Sequence, residues 1–240
     1  MLIGILETGR APNELIPEYG TYTTMFAALL GQTGAALRFQ VFAVMDGEFP
    51  DSPQACDGWL ITGSRHGVYD DLPWLEPLKV LIRQIQQAQV PLIGICFGHQ
   101  IMAEALGGKV TKAPQGWGVG RHHYQVVQAL PWMGTAPANI TLNAMHQDQV
   151  MECPPQAQVF LQSAFCPYAG LVYGNSAFSV QAHPEFTVNF ERALIELRDD
   201  APLPHEIAAP ALADLAQTNA STDSNTVARW MADFYITATG

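Results

Sequence analysis

Positive charge is scarce in this 240-residue chain: 11 Lys and Arg stand against 22 Asp and Glu, a formal net charge of −11. It has no basic run that could track phosphates, and the long-range field of such a chain repels nucleic acid and anionic membranes. Neither is expected as a partner. Long apolar runs are missing too, since no segment approaches the roughly 20 uninterrupted apolar residues that cross a bilayer. The opening MLIGILETGR lacks a basic leader and its apolar stretch stops at Glu7, which argues against a secretion signal and for a cytoplasmic protein. Cysteine is limited to Cys56, Cys96, Cys153 and Cys166, whose spacing fits no metal site. In a cytoplasmic chain all four read as free thiols, and all but Cys96 as incidental or buried small hydrophobes. No motif calls for a metal or other cofactor.

What is abundant is apolar residue content, 48% of the chain, enough to bury one good-sized core. The first half alternates strand-like and helix-like segments, the pattern of a parallel sheet covered on both faces. LIGIL (2–6), LRFQVFAV (37–44), GWLI (58–61) and VPLIGI (90–95) read as strands. Between them, 19–32 carries Tyr22, Met25, Phe26 and Leu29 on one helical face. A second helix is expected from near Leu72, with Asp71 as N-cap and Leu75, Leu78, Ile82 and Ile85 as its apolar stripe. FGHQIMAEALGG (97–108) supplies the next, stopped by its two glycines. From about Lys109 shorter strand-like stretches suggest antiparallel additions to the sheet edge and a flanking hairpin layer. TVNFERALIELRD (187–199) is helical, and two more helices follow after residue 200. The last carries an apolar stripe of Trp230, Met231, Phe234 and Tyr235.

GICFGHQ (94–100) places Cys96 between glycines where a strand ends and a helix begins. A G-x-C-x-G segment there is the thiol form of a nucleophile elbow. The helix N-terminus would favour a thiolate, and the Phe97 amide would point at an oxyanion formed when sulfur attacks a carbonyl. The same glycines also arise from plain close packing of strand on helix, so both readings stand on this segment alone. FSVQAHPEF adds His183 and Glu185 at i and i+2, which project to one side of an extended chain with Cα atoms roughly 7 Å apart. Pro184 keeps His183 out of the helical region. Alone, the pair reads as a strand-end salt bridge; joined to the elbow, it supplies a base and the group that orients it. The glycine turn ITGSRHG (61–67) follows the third strand and should open onto the same crevice, where the Gly63 amide would complete an oxyanion hole.

Together GICFGHQ, QAHPEF and the ITGSRHG loop resemble the class I glutamine amidotransferases, in the family's order, over about residues 1–195. The resemblance implies a flavodoxin-like three-layer α/β/α sandwich with a mainly parallel central sheet and antiparallel edge strands. It also implies a cysteine that attacks a γ-glutamyl amide, releases ammonia and forms a thioester that water hydrolyses. By motif position Cys96 is then nucleophile, His183 base and later acid, Glu185 its orienter, and Gly63 and Phe97 the oxyanion-hole amides. Gln100 matches a glutamine that helps hold the substrate. AMHQDQV (144–150) is similar to the SHGDxV segment of GMP-synthetase glutaminase domains, which assigns His146, Gln147 and Asp148 to substrate binding. On this reading residues 1–199 form the amidotransferase-like domain, and 200–240 a helical extension packed on it.

The strings TGSRHGVYDDLPWL and ILETGRAPNEL look closest to free-standing members without a fused synthetase. The chain carries no SGGxDS or Walker A loop. The leading expectation is therefore a glutaminase that delivers ammonia to a separate synthetase subunit. A stand-alone γ-glutamyl peptidase or hydrolase is the alternative, and a catalytically silent binding or regulatory domain a second one. Glutamine or another γ-glutamyl small molecule is the expected ligand.

Overall fold

Short apolar runs form the centre of the molecule because residues that alternate across each strand find a hydrophobic layer on either side. In the computed structural model, which describes residues 1–238, the strands are β1 (Leu2–Leu6), β2 (Arg38–Phe42), β3 (Gly58–Ile61), β4 (Leu92–Ile95), β5 (Lys109–Lys112), β6 (Gly118–Val126), β7 (Asn139–His146), β8 (Asp148–Glu152), β9 (Ala157–Gln162), β10 (Gly170–Tyr173) and β11 (Ala177–Val180). The helices are α1 (Ile16–Tyr19), α2 (Tyr22–Gly31), α3 (Leu75–Gln87), α4 (Phe97–Ala105), α5 (Val188–Arg198), α6 (His205–Leu215) and α7 (Ser224–Ala238).

Nine strands make one sheet in the order β2-β1-β3-β4-β11-β10-β9-β6-β7. Neighbours from β2 to β11 run parallel. From β11 outward they run antiparallel, and β5 and β8 form a separate antiparallel pair. The parallel half has the flavodoxin order 2-1-3-4-5, with β11 in fifth place, so its ligand crevice lies beyond the carboxyl ends of β3, β4 and β11. In β4, Ile93 and Ile95 enter a core with Phe26 of α2 and Trp230 and Phe234 of α7. Leu92 faces the other way, into a core with Leu78 and Ile82 of α3 and Ile101 and Met102 of α4. Those are the three layers the sequence pattern predicts.

The segments after residue 200 pack on this frame. α6 lies on β6, where a Cβ on Gly120 would come within 3.0 Å of the Ala211 Cβ. Arg121 on β6 donates two hydrogen bonds, each 2.8 Å, to the Asp214 carboxylate. On α7 the stripe Trp230, Met231, Phe234 and Tyr235 is buried, and the Tyr235 hydroxyl donates to the Trp59 carbonyl at 2.8 Å. The last two residues of the expected extension, 239 and 240, lie outside the described residues.

Two local expectations are corrected. α3 starts at Leu75, and its N-cap is Trp74 without a side-chain cap, so Asp71 falls in the preceding turn. That turn is closed by its neighbour, because the Gly67 amide donates to Asp70 Oδ2 at 3.0 Å. β2 ends at Phe42, and Val44–Asp46 winds into a single 3-10 turn.

Candidate active site

The glycines around Cys96 are a packing requirement. Cys96 stands alone between β4 and α4. A Cβ on Gly94 would strike the Gly98 backbone and Met102 Sδ, and one on Gly98 would strike the Ile61 carbonyl. With no side chain between strand and helix, the turn is sharp enough to hold Cys96 at φ 53° and ψ −103°. A non-glycine residue in that region is strained and persists only where its surroundings over-determine it. The close packing and the sharp strand-to-helix turn expected of GICFGHQ are one piece of geometry. Phe97 opens α4, so its N–H has no intrahelical acceptor.

His183 follows β11 by three residues. Its backbone amide donates to the Asn143 carbonyl at 2.8 Å, and Asn143 Nδ2 donates to the Phe186 carbonyl at 2.9 Å. The imidazole stacks on the Phe186 ring with centroids 3.9 Å apart and planes 4° apart. Its Nδ1 lies 2.7 Å from Glu185 Oε1, and both residues are buried. With Nδ1 committed to Glu185, Nε2 is the nitrogen left for Cys96. Burial alone would lower the pKa of His183, but the charges and hydrogen bonds of Cys96 and Glu185 outweigh it and hold the pKa well above the ordinary histidine value.

Gly63, just past β3, completes the cluster. A Cβ there would lie 2.9 Å from His183 Cε1 and 3.7 Å from Cys96 Cβ. The three separate sequence motifs thus meet at one point.

The remaining expected site residues form a second group beside it. Gln100 Nε2 donates to the Asp148 carbonyl at 2.8 Å, and His146 Nδ1 lies 3.2 Å from the same oxygen. Burial, reinforced by His122 and His183, pushes the His146 pKa down to about 3, so this ring is neutral. The Asp148 carboxylate accepts from the Tyr69 hydroxyl at 2.9 and 3.1 Å, and burial raises its pKa. Gln147 lies between His146 and Asp148 in the chain, and its carbonyl accepts from the Ala113 amide at 2.9 Å, outside this group.

Sequence reasoning missed Tyr69, Asn143, Phe186, Gln181 and Glu191. Gln181 is fully buried, and its Nε2 lies 3.8 Å from Cys96 Sγ. It directly follows β11 and sits two residues before His183, inside the QAHPEF segment that the sequence already singles out. Glu191 is also fully buried, bonded through Oε1 to the Gly120 amide at 3.2 Å, and burial pushes its pKa up to about 7. Among the described residues, metal-ligand side chains gather at Asp199, Asp200 and His205, at the α5–α6 junction and on none of the residues above.

The family model for glutamine amidotransferase class-I matches residues 16–197. The chain belongs to this family. It is 33% identical over 175 residues to gamma-glutamyl peptidase 4 of Arabidopsis thaliana, an alignment covering 70% of this chain and 69% of that protein. A glutamine-hydrolyzing GMP synthase of Azoarcus is 33% identical over 138 residues, 54% of this chain but 26% of the synthase. The fold matches a crystal structure of a glutamine amidotransferase from Thermotoga maritima with a TM-score of 0.75 at 19% identity, over 99% of this chain and 97% of the other. No helix among the described residues is long and apolar enough to cross a membrane.

Proposed function

We propose that this amidotransferase-family chain hydrolyses a γ-glutamyl amide bond through a thioester on Cys96. The observation that carries the reading is the meeting of a strained Cys96 with His183, whose other nitrogen is held 2.7 Å from Glu185. The Cys96 thiolate adds to the γ-carbonyl carbon, and the oxyanion is received by the Gly63 and Phe97 amides. His183, protonated by virtue of its raised proton affinity, gives its proton to the leaving nitrogen as the C–N bond breaks. The amine departs and the γ-glutamyl group stays on sulfur. His183, now neutral, takes a proton from water as the water attacks the thioester, and glutamate leaves with thiolate and imidazolium restored. Glu185 holds the imidazole in orientation throughout. His146, Asp148, Gln147 and Gln100 line the side on which the glutamyl α-amino and α-carboxylate groups bind.

Of the two leaving groups weighed, an amino acid or peptide amine is favoured over ammonia passed to a synthetase. The similarity to a protein named gamma-glutamyl peptidase extends over about two thirds of both chains, whereas the GMP synthase is matched over a quarter of its length. The site is also assembled within the single chain, with its histidine, carboxylate and glutamines already hydrogen-bonded. Ammonia delivery to a separate synthetase is the second reading, supported by that same GMP synthase similarity. The deciding experiment offers the purified chain glutamine, γ-glutamyl peptides and γ-glutamyl amines. Fast cleavage of a peptide with slow glutamine turnover supports the peptidase. Preferential glutamine cleavage, or activity on glutamine only after a cell extract is added, transfers support to the second reading.

A further inference from the structure

Two buried glutamines connect the substrate side of the site to the sulfur. Gln100 Nε2 donates to the Asp148 main-chain carbonyl at 2.8 Å, an acceptor whose polarity is fixed. The same Nε2 lies 3.2 Å from the facing atom of Gln181, which must therefore be the amide oxygen. Gln181 is thereby oriented with its NH2 group toward Cys96, 3.8 Å from Sγ. The direction of every bond in this row is set by one backbone carbonyl, and the row ends in a donor aimed at sulfur. Gln181 is 0% exposed and Gln100 3%, so water does not compete for these donors.

We infer that Gln181 is a positioning residue for the nucleophile: it holds the Cys96 side chain in place and favours its thiolate, and Gln100 keeps it facing that way. The inference rests on the reading of Cys96 as nucleophile. A hydrogen bond from a neutral amide stabilises a sulfur anion more than a neutral thiol, which has its own proton to place. Gln181 acts on the sulfur beside His183. His183 approaches from the segment after β11, while Tyr22 of α2, Tyr124 of β6 and Cys166 also interact electrostatically with Cys96. Those three stay neutral, each with its pKa raised by burial. His183 supplies the charge, and Gln181 the direction.

The test measures the rate of Cys96 alkylation by iodoacetamide against pH, followed by peptide mass, in the full chain and in Gln181→Leu, Gln181→Glu and Gln100→Leu. Gln181→Leu should slow alkylation at neutral pH about tenfold and move the profile to higher pH, the scale expected for one hydrogen bond to a charged group. Gln181→Glu keeps the volume but presents a carboxylate to sulfur, and should slow alkylation further. It also serves if the leucine variant does not fold. Gln100→Leu should shift the profile in the same direction by less. Wild-type pH profiles in the folded Gln181 variants would overturn the inference while leaving the nucleophile reading intact. If instead Cys96→Ala still cleaves γ-glutamyl substrates, the underlying reading fails, whatever the alkylation profiles show.

Discussion

Replacing Gly63 with Ala adds one methyl group at the point where the three motifs meet. The added carbon would stand 2.9 Å from His183 Cε1, whereas carbon atoms rest at about 3.5–4.0 Å. Backbone strain is not involved, since Gly63 has none of the positive φ values that disfavour a side chain. The imidazole must therefore give way by about 0.6–1.1 Å. It has little room to do so: Nδ1 is tied to Glu185 at 2.7 Å, and the ring lies flat on Phe186 at 3.9 Å. A 1 Å misplacement of a catalytic group costs about 10²-fold, so a displacement of this size should lower kcat by about 10- to 10²-fold. If the Gly63 amide also turns away from the oxyanion, the loss grows toward about 10²–10³-fold. Overpacking should cost about 1–3 kcal/mol in stability. The assay is steady-state hydrolysis of the γ-glutamyl compound that the parent chain cleaves fastest, with kcat and KM determined separately and thermal unfolding measured in parallel. A fall in kcat with KM little changed is expected. A folded Gly63→Ala protein with the parent kcat would refute both the ring-displacement argument and the place of Gly63 in the site.

Three further outcomes follow from the same packing and hydrogen bonds. Glu185→Gln should lower kcat about tenfold or more and change the pH dependence of stability. With the His183 pKa raised in the fold, its stabilisation is complete below about pH 6.5 and is lost as pH rises through the higher folded value. Urea denaturation at pH 6 and pH 9 should accordingly show a smaller loss in the variant than in the parent. Glu191→Gln should gain stability relative to the parent as pH rises. The buried Glu191 carboxyl favours the folded chain while protonated, and that advantage is lost between its ordinary 4.5 and about 7, an effect of about 3 kcal/mol by linkage; equal differences at pH 5 and pH 8 would contradict it. Tyr235→Phe removes the hydroxyl that donates to the Trp59 carbonyl at 2.8 Å and should cost about 1 kcal/mol in denaturant unfolding without altering kcat.

The residues legible in the sequence are those whose chemistry is written in a short local spacing. Gly94, Cys96 and Gly98 sit within five positions because one turn needs all three, and His183 and Glu185 are two residues apart and meet as expected, although the chain turns at 184–185 instead of staying extended. The parallel half of the sheet was equally readable, since β1, β3 and β4 are continuous apolar runs. What could not be read depends on contacts between distant segments. No periodicity in GLVYG or AFSVQAH tells that β11 inserts beside β4 while β10 turns outward, yet that insertion brings Gln181 to Gln100 and His183 to Asn143. The start of α3 was misread for a more local reason. Adjacent Asp70 and Asp71 are both fit to cap, and Asp70 closes a turn with Gly67 before the helix begins.

The central claim is that the γ-glutamyl group rests on the Cys96 sulfur between the two halves of the reaction. Rapid acid quenching of the chain during turnover of its fastest γ-glutamyl substrate, followed by intact and peptide mass measurement, tests it most directly. The account predicts a transient gain of one γ-glutamyl group on the peptide containing Cys96, and neither adduct nor turnover in Cys96→Ala. Full turnover in Cys96→Ala, or an adduct on any other residue, would contradict it.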